Sequence, residues 1–479
     1  MVFWVILCGF FPLGMAQDTP PAGPAYQSFD LTLETGTRTE IVGPFYYFQK
    51  SETDLTEAWP PFYSRYTDTN VANQEVDILY PLLTRETYGP ESRWQFLQLF
   101  SFAGGVDPAA GNTDQARRFT IYPIYFQQRS ANTNDDYTAV LPFYGHIKNR
   151  LMFNDVTFVM FPFYSESKKK DVVTDNYVYP FFHLRQGDHL NGWQFWPLYG
   201  QEHTDITTLT NGFGDISLNP GHNKSFALSP IYYNNTEGIG TTNPVSSLGV
   251  IPLYAQQRSP ARDSTTVIWP LFSWIDNREK QYHEWQGPWP FVIYTRGAGK
   301  HTSRVWPLFS ESHDLKHESD SYLWPLYQFR GYHTEMLTQA HTSVLFYIYQ
   351  EEEEKNLVTG INHKRVDMWP FFTWHRDAVG NERLQILAPV EPALADRRGI
   401  ERNWSPLWSL WRAENNGTNG AQSLSLLWNL YRSDRTPASK KVSLLFGLFQ
   451  YRQEGGTNNY RCFYCPALSW SKQAKQSGQ

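Results

Sequence analysis

The chain has 479 residues, and its 41 Lys and Arg residues are opposed by 47 Asp and Glu residues, which gives a formal net charge of -6. This balance predicts no basic surface of the kind that binds nucleic acid. Charged residues make up 18% of the chain and aromatic residues 16%, a composition that excludes both a disordered chain and a bundle of membrane-spanning helices.

Residues 1–16 carry the pattern of a secretory signal peptide. An apolar run over residues 2–15 ends in Gly14-Met15-Ala16, which has the small-x-small spacing of an export cleavage site before Gln17. The run lacks the usual preceding Lys or Arg, so an uncleaved anchor or a chance apolar start is the alternative. Residues 17–40 are rich in Pro, Thr and Gly and predict a flexible lead-in.

A short phrase then recurs along the chain: a large apolar residue, Pro, an apolar residue and an aromatic residue. About 22 copies between Pro44 and Pro466 give a period of about 20 residues. One repeat over the whole mature chain predicts a single domain over residues 41–470, followed by a polar tail over residues 471–479. The Trp-Pro copies that we take as structural repeat residues are Trp196 and Pro197, Trp269 and Pro270, Trp306 and Pro307, Trp324 and Pro325, and Trp369 and Pro370.

Each copy predicts one β-strand. In residues 265–274, Thr, Val, Ile, Trp and Phe dominate, and a polar cluster with Asp, Asn and Lys follows. One strand of roughly eight to eleven residues per copy predicts an all-β fold of about 22 antiparallel meander strands. Such a sheet is predicted to close as a large β-barrel. A soluble β-repeat, a solenoid, or a propeller with two short strands per copy is the alternative.

The recurrent Pro has two interpretations. Because Pro has no N–H to donate, it either produces a kink or bulge within a strand or opens a short strand after one that ends at Trp. In residues 267–274, read as one strand, both faces are apolar, and such a strand is predicted to be buried on both sides.

Candidate chemical sites are weak. Cys462 and Cys465 have C-x-x-C spacing without a βαβ scaffold, so they predict a local disulfide or two unpaired thiols. Residues 313–320 include the metal-capable side chains His313, Asp314, His317, Glu318 and Asp320, but a solvated loop is the simpler interpretation. The acidic run at residues 351–354 is typical of a strand end kept in water. No nucleotide-binding or hydrolase motif is present in the sequence, so we expect neither an enzyme nor a cofactor or metal.

Export, aromatic-rich β-segments and few cysteines are together typical of a bacterial outer-membrane β-barrel. We therefore expect an exported outer-membrane protein with a structural, transport or envelope-assembly role and membrane lipid as its partner. The alternative is a periplasmic or secreted β-repeat interaction protein that binds an envelope protein or, through rows of Trp and Tyr, a glycan.

Overall fold

A computed structural model describes residues 26–471 except residues 90, 98, 108–111, 131–132, 188, 211–215, 395–396 and 463–467. The predicted signal peptide, residues 17–25 of the lead-in and residues 472–479 of the tail lie outside the described residues. The first two strands fall inside residues 17–41, so the described sheet begins earlier than the predicted domain boundary at residue 41.

The strands before residue 180 are β1 Gln27–Asp30, β2 Gly36–Ile41, β3 Tyr46–Ser51, β4 Asp54–Trp59, β5 Tyr63–Asp68, β6 Asn73–Ile78, β7 Leu83–Tyr88, β8 Glu91–Phe96, β9 Phe100–Asp107, β10 Asn112–Ile121, β11 Tyr125–Arg129, β12 Tyr137–Val140, β13 Tyr144–Arg150, β14 Phe153–Val159, β15 Tyr164–Lys169 and β16 Val172–Tyr177. The next are β17 Phe182–Gly187, β18 Leu190–Phe195, β19 Tyr199–Thr204, β20 Thr207–Thr210, β21 Ile216–Asn219, β22 Gly221–Ala227, β23 Tyr232–Ile239, β24 Val245–Val250, β25 Tyr254–Arg258, β26 Arg262–Val267, β27 Phe272–Asn277, β28 Tyr282–Gln286, β29 Val292–Gly297 and β30 Lys300–Val305. The last are β31 Phe309–Asp314, β32 His317–Tyr322, β33 Tyr327–His333, β34 Leu337–Val344, β35 Tyr349–Asn356, β36 Asn362–Met368, β37 Phe372–Arg376, β38 Glu382–Ile386, β39 Trp411–Asn415, β40 Gln422–Leu426, β41 Tyr431–Arg435, β42 Ser439–Leu444, β43 Phe449–Glu454, β44 Thr457–Cys462 and β45 Leu468–Ser471. Two helices, α1 Arg398–Asn403 and α2 Ser405–Trp408, interrupt the series.

The all-β prediction and the antiparallel meander are confirmed, but the predicted number and length of the strands are wrong. The main sheet has 43 strands, because each repeat forms two short strands joined by a tight polar turn. For example, β31 and β32 have six residues each and are joined by Leu315-Lys316. The polar stretch between two motif copies, interpreted from the sequence as a connection, is thus the second half of one strand, a turn and the first half of the next. The longest connection forms a hairpin of its own, from β20 and β21.

The motif itself explains why residues 267–274 looked apolar on both faces. Val267 ends β26, Phe272 begins β27, and Trp269, Pro270 and Leu271 form the turn between them. An alternation that is counted through a turn assigns side chains to the wrong faces, so the predicted burial on both sides does not apply.

The register is the same from strand to strand across the sheet. The second strand residue counted from each motif turn pairs with its equivalent on the next strand, as in Arg304 with Ser310, Ser310 with Ser321 and Ser321 with Gln328. The same row continues from Tyr47 on β3 to Arg461 on β44. In the described residues β1 pairs only with β2 and β45 only with β44, so the described ladder is open.

One face of the sheet, here called the inner face, carries this row and buries mostly small or polar side chains. Ser64 and Thr295 have no exposed surface, and Thr302 and Asp367 are 2% exposed. Each of these four side chains has a hydrogen-bond partner, which buried polar groups need in order to avoid a desolvation penalty. The Thr302 hydroxyl, for instance, lies 2.9 Å from the Ser312 hydroxyl. An apolar cluster of Phe126, Tyr137, Ala139, Ile147 and Phe158 covers part of the same face.

The sheet turns back so that its first strands meet its last ones through side chains. The Lys441 ammonium lies 2.6 Å from the Asp30 carboxylate, and the Gln27 amide donates to Ser443 at 3.1 Å. Helices α1 and α2 lie between the two ends, where the Tyr47 hydroxyl donates to the Arg402 carbonyl at 2.9 Å. We call this contact region between the first seven strands and residues 365–443 the seam. Helix α1 begins only at Arg398, after Pro389 and Pro392, which disfavour a helix in the preceding segment.

Neither of these helices, nor any other helix in the described residues, has the length and apolarity needed to cross a membrane.

Candidate functional site

The repeated motif forms a four-residue turn at one edge of the sheet. In the copy at residues 323–326, the Leu326 N–H donates to the Leu323 carbonyl at 2.8 Å, and Trp324 and Pro325 occupy the centre with a cis peptide bond between them. Because Pro sits in a turn, its missing N–H removes no ladder hydrogen bond. The predicted kink within a strand is therefore wrong, and Pro precedes the next strand, as the second interpretation expected.

Successive turns are hydrogen-bonded to each other and so extend the ladder beyond the strands. The Trp324 N–H donates to the Pro307 carbonyl at 2.8 Å and the Leu323 N–H to the Leu308 carbonyl at 2.7 Å. The Trp306 N–H donates in turn to the Phe291 carbonyl at 2.7 Å. Backbone groups that a turn would normally leave to water are thus paired within the protein.

The turn side chains are exposed rather than buried as core. Leu308 is 56% exposed, Phe163 59% and Leu253 67%. Neighbouring rings also contact each other along the edge, with centroids 5.7 Å apart for Phe291 and Trp306 and 5.5 Å apart for Trp306 and Trp324. These separations fall in the range of favourable tilted aromatic pairs.

All ten predicted structural repeat residues lie in these turns. Trp196 and Trp306 are 37% exposed, Trp324 40% and Trp269 48%. Trp369 differs, because its indole N–H donates to the Pro389 carbonyl at 2.9 Å and the ring is partly covered by the segment before α1. Each of the five Trp-Pro peptide bonds is cis.

The outer face, opposite the inner one, continues the apolar surface by one row below the turns. Its first row pairs Val305 with Phe309, Phe309 with Tyr322 and Tyr322 with Tyr327. We call the turns and this row the apolar rim. The turn sequences, which contain no Asp, Glu, Lys or Arg, are residues 59–62, 79–82, 122–124, 141–143, 160–163, 178–181, 196–198, 228–231, 251–253, 268–271, 287–291, 306–308, 323–326, 345–348, 369–371, 427–430 and 445–448.

The other ends of the strands form a rim of mostly polar connections, in which single apolar residues such as Met152, Leu315 and Val358 are exposed. Asn356 and Asn416 each begin such a loop, and their side-chain oxygens accept from backbone N–H groups two and three residues later. Gly360 and Gly420 end the same loops with φ of 72° and 70°, a backbone that glycine adopts without penalty. The sheet is therefore amphipathic along its strands, with one apolar rim and one polar rim.

The remaining predicted candidates lie on β31, β32, β35 and β44. His313 and Glu318 face each other across β31 and β32, so they belong to strands and not to a loop as expected. Residues 351–354 lie inside β35, where Glu351 pairs with Lys364 at 2.6 Å. Cys462 ends β44 with an exposed side chain, while Cys465 lies outside the described residues, so the thiol pairing stays a prediction.

A cavity of about 460 Å³ opens on the outer face of β27–β29. Trp274, Trp285 and Tyr294 stand in one row there, each directly opposite the next, and are 50%, 38% and 49% exposed. Polar groups lie beside the rings: the His283 Nδ1 is 3.1 Å from the Asp276 carboxylate. We call these three rings the aromatic platform.

The seam contains a buried charge network. Arg402, 6% exposed, lies 2.6 Å from the fully buried Asp77 and 2.8 Å from Glu75, and its Nε donates to Ser64 at 3.1 Å. Nearby, a cavity of about 400 Å³ is lined by both ends of the chain. Other ion pairs on the inner face have the spacing Arg-x-Glu or Arg-x-Asp, as in Arg412 with Glu414 and Arg365 with Asp367, and this spacing is a sequence signal from which they could have been predicted.

Two groups in the seam titrate far from their ordinary ranges. Burial alone would raise the pKa of Glu414, but the guanidinium charges of Arg412 and Arg383 outweigh it and lower the pKa to about 2. Burial, and after it the positive charge of Arg383, lowers the pKa of His375 to about 4. At neutral pH the seam therefore holds an ionised Glu414 and an uncharged His375.

No protein-family model matches the chain, and no curated protein matches it.

Proposed function

We propose that this chain is an exported, non-catalytic scaffold that binds a lipid bilayer through its apolar rim. The observation that carries the proposal is the stacking of uncharged, exposed motif turns into one continuous edge opposite a polar edge. Exposed apolar patches beyond several hundred Å² mark interaction surfaces, and a rim to which each turn adds on the order of 100 Å² exceeds that size several-fold. Trp and Tyr, which are frequent in this rim, favour the interface between lipid and water.

The backbone hydrogen bonds of the rim favour insertion into lipid over a nonspecific apolar contact surface. A peptide segment enters the apolar part of a bilayer only when its N–H and carbonyl groups are paired internally. The bonds from Trp324 to Pro307 and from Leu323 to Leu308 supply that pairing from turn to turn. Pro at the turn centre reduces the number of donors that need a partner.

The dimensions favour insertion from one side of the bilayer over strands that span it. Six-residue strands reach only about 20 Å, whereas strands that cross a membrane have about 9–11 residues. A closed barrel also needs strands that are tilted and staggered by a fixed shear, and the row from Tyr47 to Arg461 has no stagger. The turns and the first outer row together reach about 5–10 Å, the depth of interfacial anchors. A spanning outer-membrane barrel with a transport or assembly role is the alternative form of this proposal.

Flotation with vesicles tests the proposal. The purified mature chain, free of detergent, should float with phosphatidylcholine vesicles, and its binding should persist in high salt because the rim is uncharged. Bromine placed shallowly on the acyl chains should quench Trp fluorescence strongly, and bromine near the bilayer centre should quench it weakly.

The outcomes separate the candidates. A protein that remains unbound, or binds only anionic vesicles at low salt, contradicts rim insertion. Equal quenching at both depths, together with release of a trapped dye, indicates a spanning barrel. Self-association without vesicle binding indicates that the rim is instead a contact between protein molecules.

The aromatic platform favours a second candidate function, binding of a glycan. Trp274 and Trp285 supply exposed aromatic surface that can stack on the apolar faces of pyranose rings, and Asp276 and His283 supply hydrogen-bonding groups for hydroxyls. One face of the Tyr294 ring lies under the Arg296 guanidinium, 3.8 Å from the ring centroid, which leaves the other face for a ligand. Titration with soluble oligosaccharides should quench Trp fluorescence, and Trp285→Ala should abolish the change. Trp374, on the same outer row of β37 without aromatic neighbours in register, is the control; equal loss in Trp374→Ala would contradict the platform.

A further inference from the structure

The outer face of β31–β33 gathers four metal-capable side chains near the polar rim. His313 on β31 is directly opposite Glu318 on β32, and Asp320 lies two residues further along the same face. His333 ends β33, the next strand. The polar rim is distant from the turns that carry the lipid-binding proposal, so this site goes beyond that function and does not depend on it.

The separations between these side chains match those of a first coordination shell. His313 Nδ1 lies 3.4 Å from Glu318 Oε1, and His313 Nε2 lies 3.6 Å from Asp320 Oδ1. His333 Nε2 lies 3.8 Å from the other Glu318 oxygen. One ligand atom from each of His313, Glu318 and Asp320 falls within 4.8 Å of the other two. Bonds of about 2.1 Å in a tetrahedron place ligand atoms about 3.4 Å apart, so side-chain rotations would have to bring these three ligand atoms closer together. His333, which contacts Glu318 alone among them, would rotate toward the same point.

Gly331 makes the convergence sterically feasible. It pairs with Glu318 across β32 and β33, and a Cβ at this position would lie 3.2 Å from His333 Nε2 and 3.4 Å from the Glu318 Cβ. A side chain larger than hydrogen would therefore occupy the space over which His333 reaches Glu318. The absence of a side chain here leaves the space between His333 and Glu318 open.

One oxygen of the Asp320 carboxylate, Oδ1, is buried without a hydrogen bond from the described residues. Buried carboxylate oxygens are normally satisfied by such bonds. The Glu318 carboxylate lies on the same face of β32, two residues away. A divalent cation would offset both the desolvation and the repulsion between the two carboxylates.

We propose that His313, Glu318, Asp320 and His333 bind a divalent transition metal of the zinc class. Two imidazole nitrogens and two carboxylate oxygens are a donor set suited to Zn²⁺, and four protein ligands are typical of a structural site. The metal would connect three neighbouring strands at the polar rim.

Isothermal titration of the chelator-treated mature chain with ZnCl₂ tests this site. The experiment uses a Cys462→Ser, Cys465→Ser background so that thiols do not contribute. We expect one saturable site per chain with at least tenfold preference for Zn²⁺ over Ca²⁺, and an increase in the melting temperature on adding Zn²⁺. His313→Ala should reduce the affinity at least tenfold, and Gly331→Val should weaken binding although it removes no ligand.

His283→Ala is the matched control. His283 and Asp276 form another imidazole–carboxylate pair on the same outer face, outside the four proposed ligands, so this variant should bind Zn²⁺ like the parent chain. Far-UV circular dichroism checks that every variant is folded. Absence of saturable Zn²⁺ binding in the parent, or equal losses in His313→Ala and His283→Ala, would overturn the site.

Discussion

Leu308→Asp provides the sharpest test of the apolar rim. Leu308 is 56% exposed at the tip of a motif turn, and full burial of a leucine side chain contributes about 1.5–3 kcal/mol, so transfer of its exposed part into lipid contributes about 1–1.5 kcal/mol. The introduced carboxylate adds a cost of about 1–2 kcal/mol at the depth of the interface. The sum of about 3 kcal/mol corresponds to roughly a 100-fold loss in partitioning.

The chain contains a matched control for this substitution. Leu315 lies in the polar turn at the other end of the same strand, β31, and is even more exposed at 82%. If rim insertion is correct, Leu315→Asp should change vesicle partitioning by no more than about twofold, or about 0.4 kcal/mol. Sedimentation with phosphatidylcholine vesicles over a lipid titration measures both variants. Unchanged binding of Leu308→Asp, or an equal loss in the two variants, would refute the assignment of lipid binding to this rim.

Three further predictions concern the stability of the sheet. Arg402→Met should lower the free energy of unfolding by about 3–5 kcal/mol, since it leaves the Asp77 carboxylate buried without its counter-charge. Urea denaturation measures this loss, and adding Asp77→Asn should partly restore the stability. A small effect of Arg402→Met would contradict the ion pair across the seam. The pKa of His375 is about 4 in the folded chain, so between pH 6.5 and 4 the imidazole binds a proton only in the unfolded state. The free energy of unfolding should therefore fall by up to about 3 kcal/mol as the pH drops through that window. His375→Gln should remove this part of the pH dependence. Gly145→Val should destabilise the chain by about 1–3 kcal/mol through overpacking, because a Cβ at Gly145 would lie 2.3 Å from the Ala139 Cβ. An unchanged melting curve would show that β12 and β13 can separate to make room.

The class of fold was accessible from the sequence because the repeat is local and frequent. A motif that recurs about every 20 residues, with Pro in every strong copy and β-forming residues around it, excludes long helices and predicts neighbouring strands in a meander. Each of these features depends on backbone chemistry that acts within a few residues. The structure confirms them from β1 to β45.

The strand count failed because the repeat was assigned to the wrong structural element. In residues 309–322 the sequence Phe-Ser-Glu-Ser-His-Asp and its continuation alternate between two polar faces, so no apolar periodicity marks the strands. The inner face is polar because pairs such as Thr302 with Ser312 satisfy each other, which only the register reveals. The most hydrophobic residues, which ordinarily indicate the strand centre, occupy the turns instead.

The candidate metal site could be predicted only if the pairing register of the strands were known. His313 and Glu318 are five residues apart, a spacing that means little in an unassigned loop but places two side chains opposite each other across a hairpin with a two-residue turn. Gly331 and His333, on the following strand, become relevant only when the pairing of β32 with β33 is known. The seam could not be predicted, because it depends on contacts between residues more than 300 positions apart, such as Arg402 with Ser64. A single sequence does not indicate such contacts.

The distribution of polarity in this sheet is the reverse of that in an ordinary soluble β-protein, where the apolar face is covered and the polar face meets water. Here the covered face is held by hydrogen bonds and ion pairs, while Trp, Phe and Leu remain exposed along one edge. The exposed part of an apolar turn does not stabilise the fold in water, and it increases the tendency of the chain to aggregate. Seventeen such turn segments without a charged residue are therefore difficult to explain by the stability of the isolated chain, and a surrounding apolar phase at that edge accounts for both their composition and their internally paired backbone.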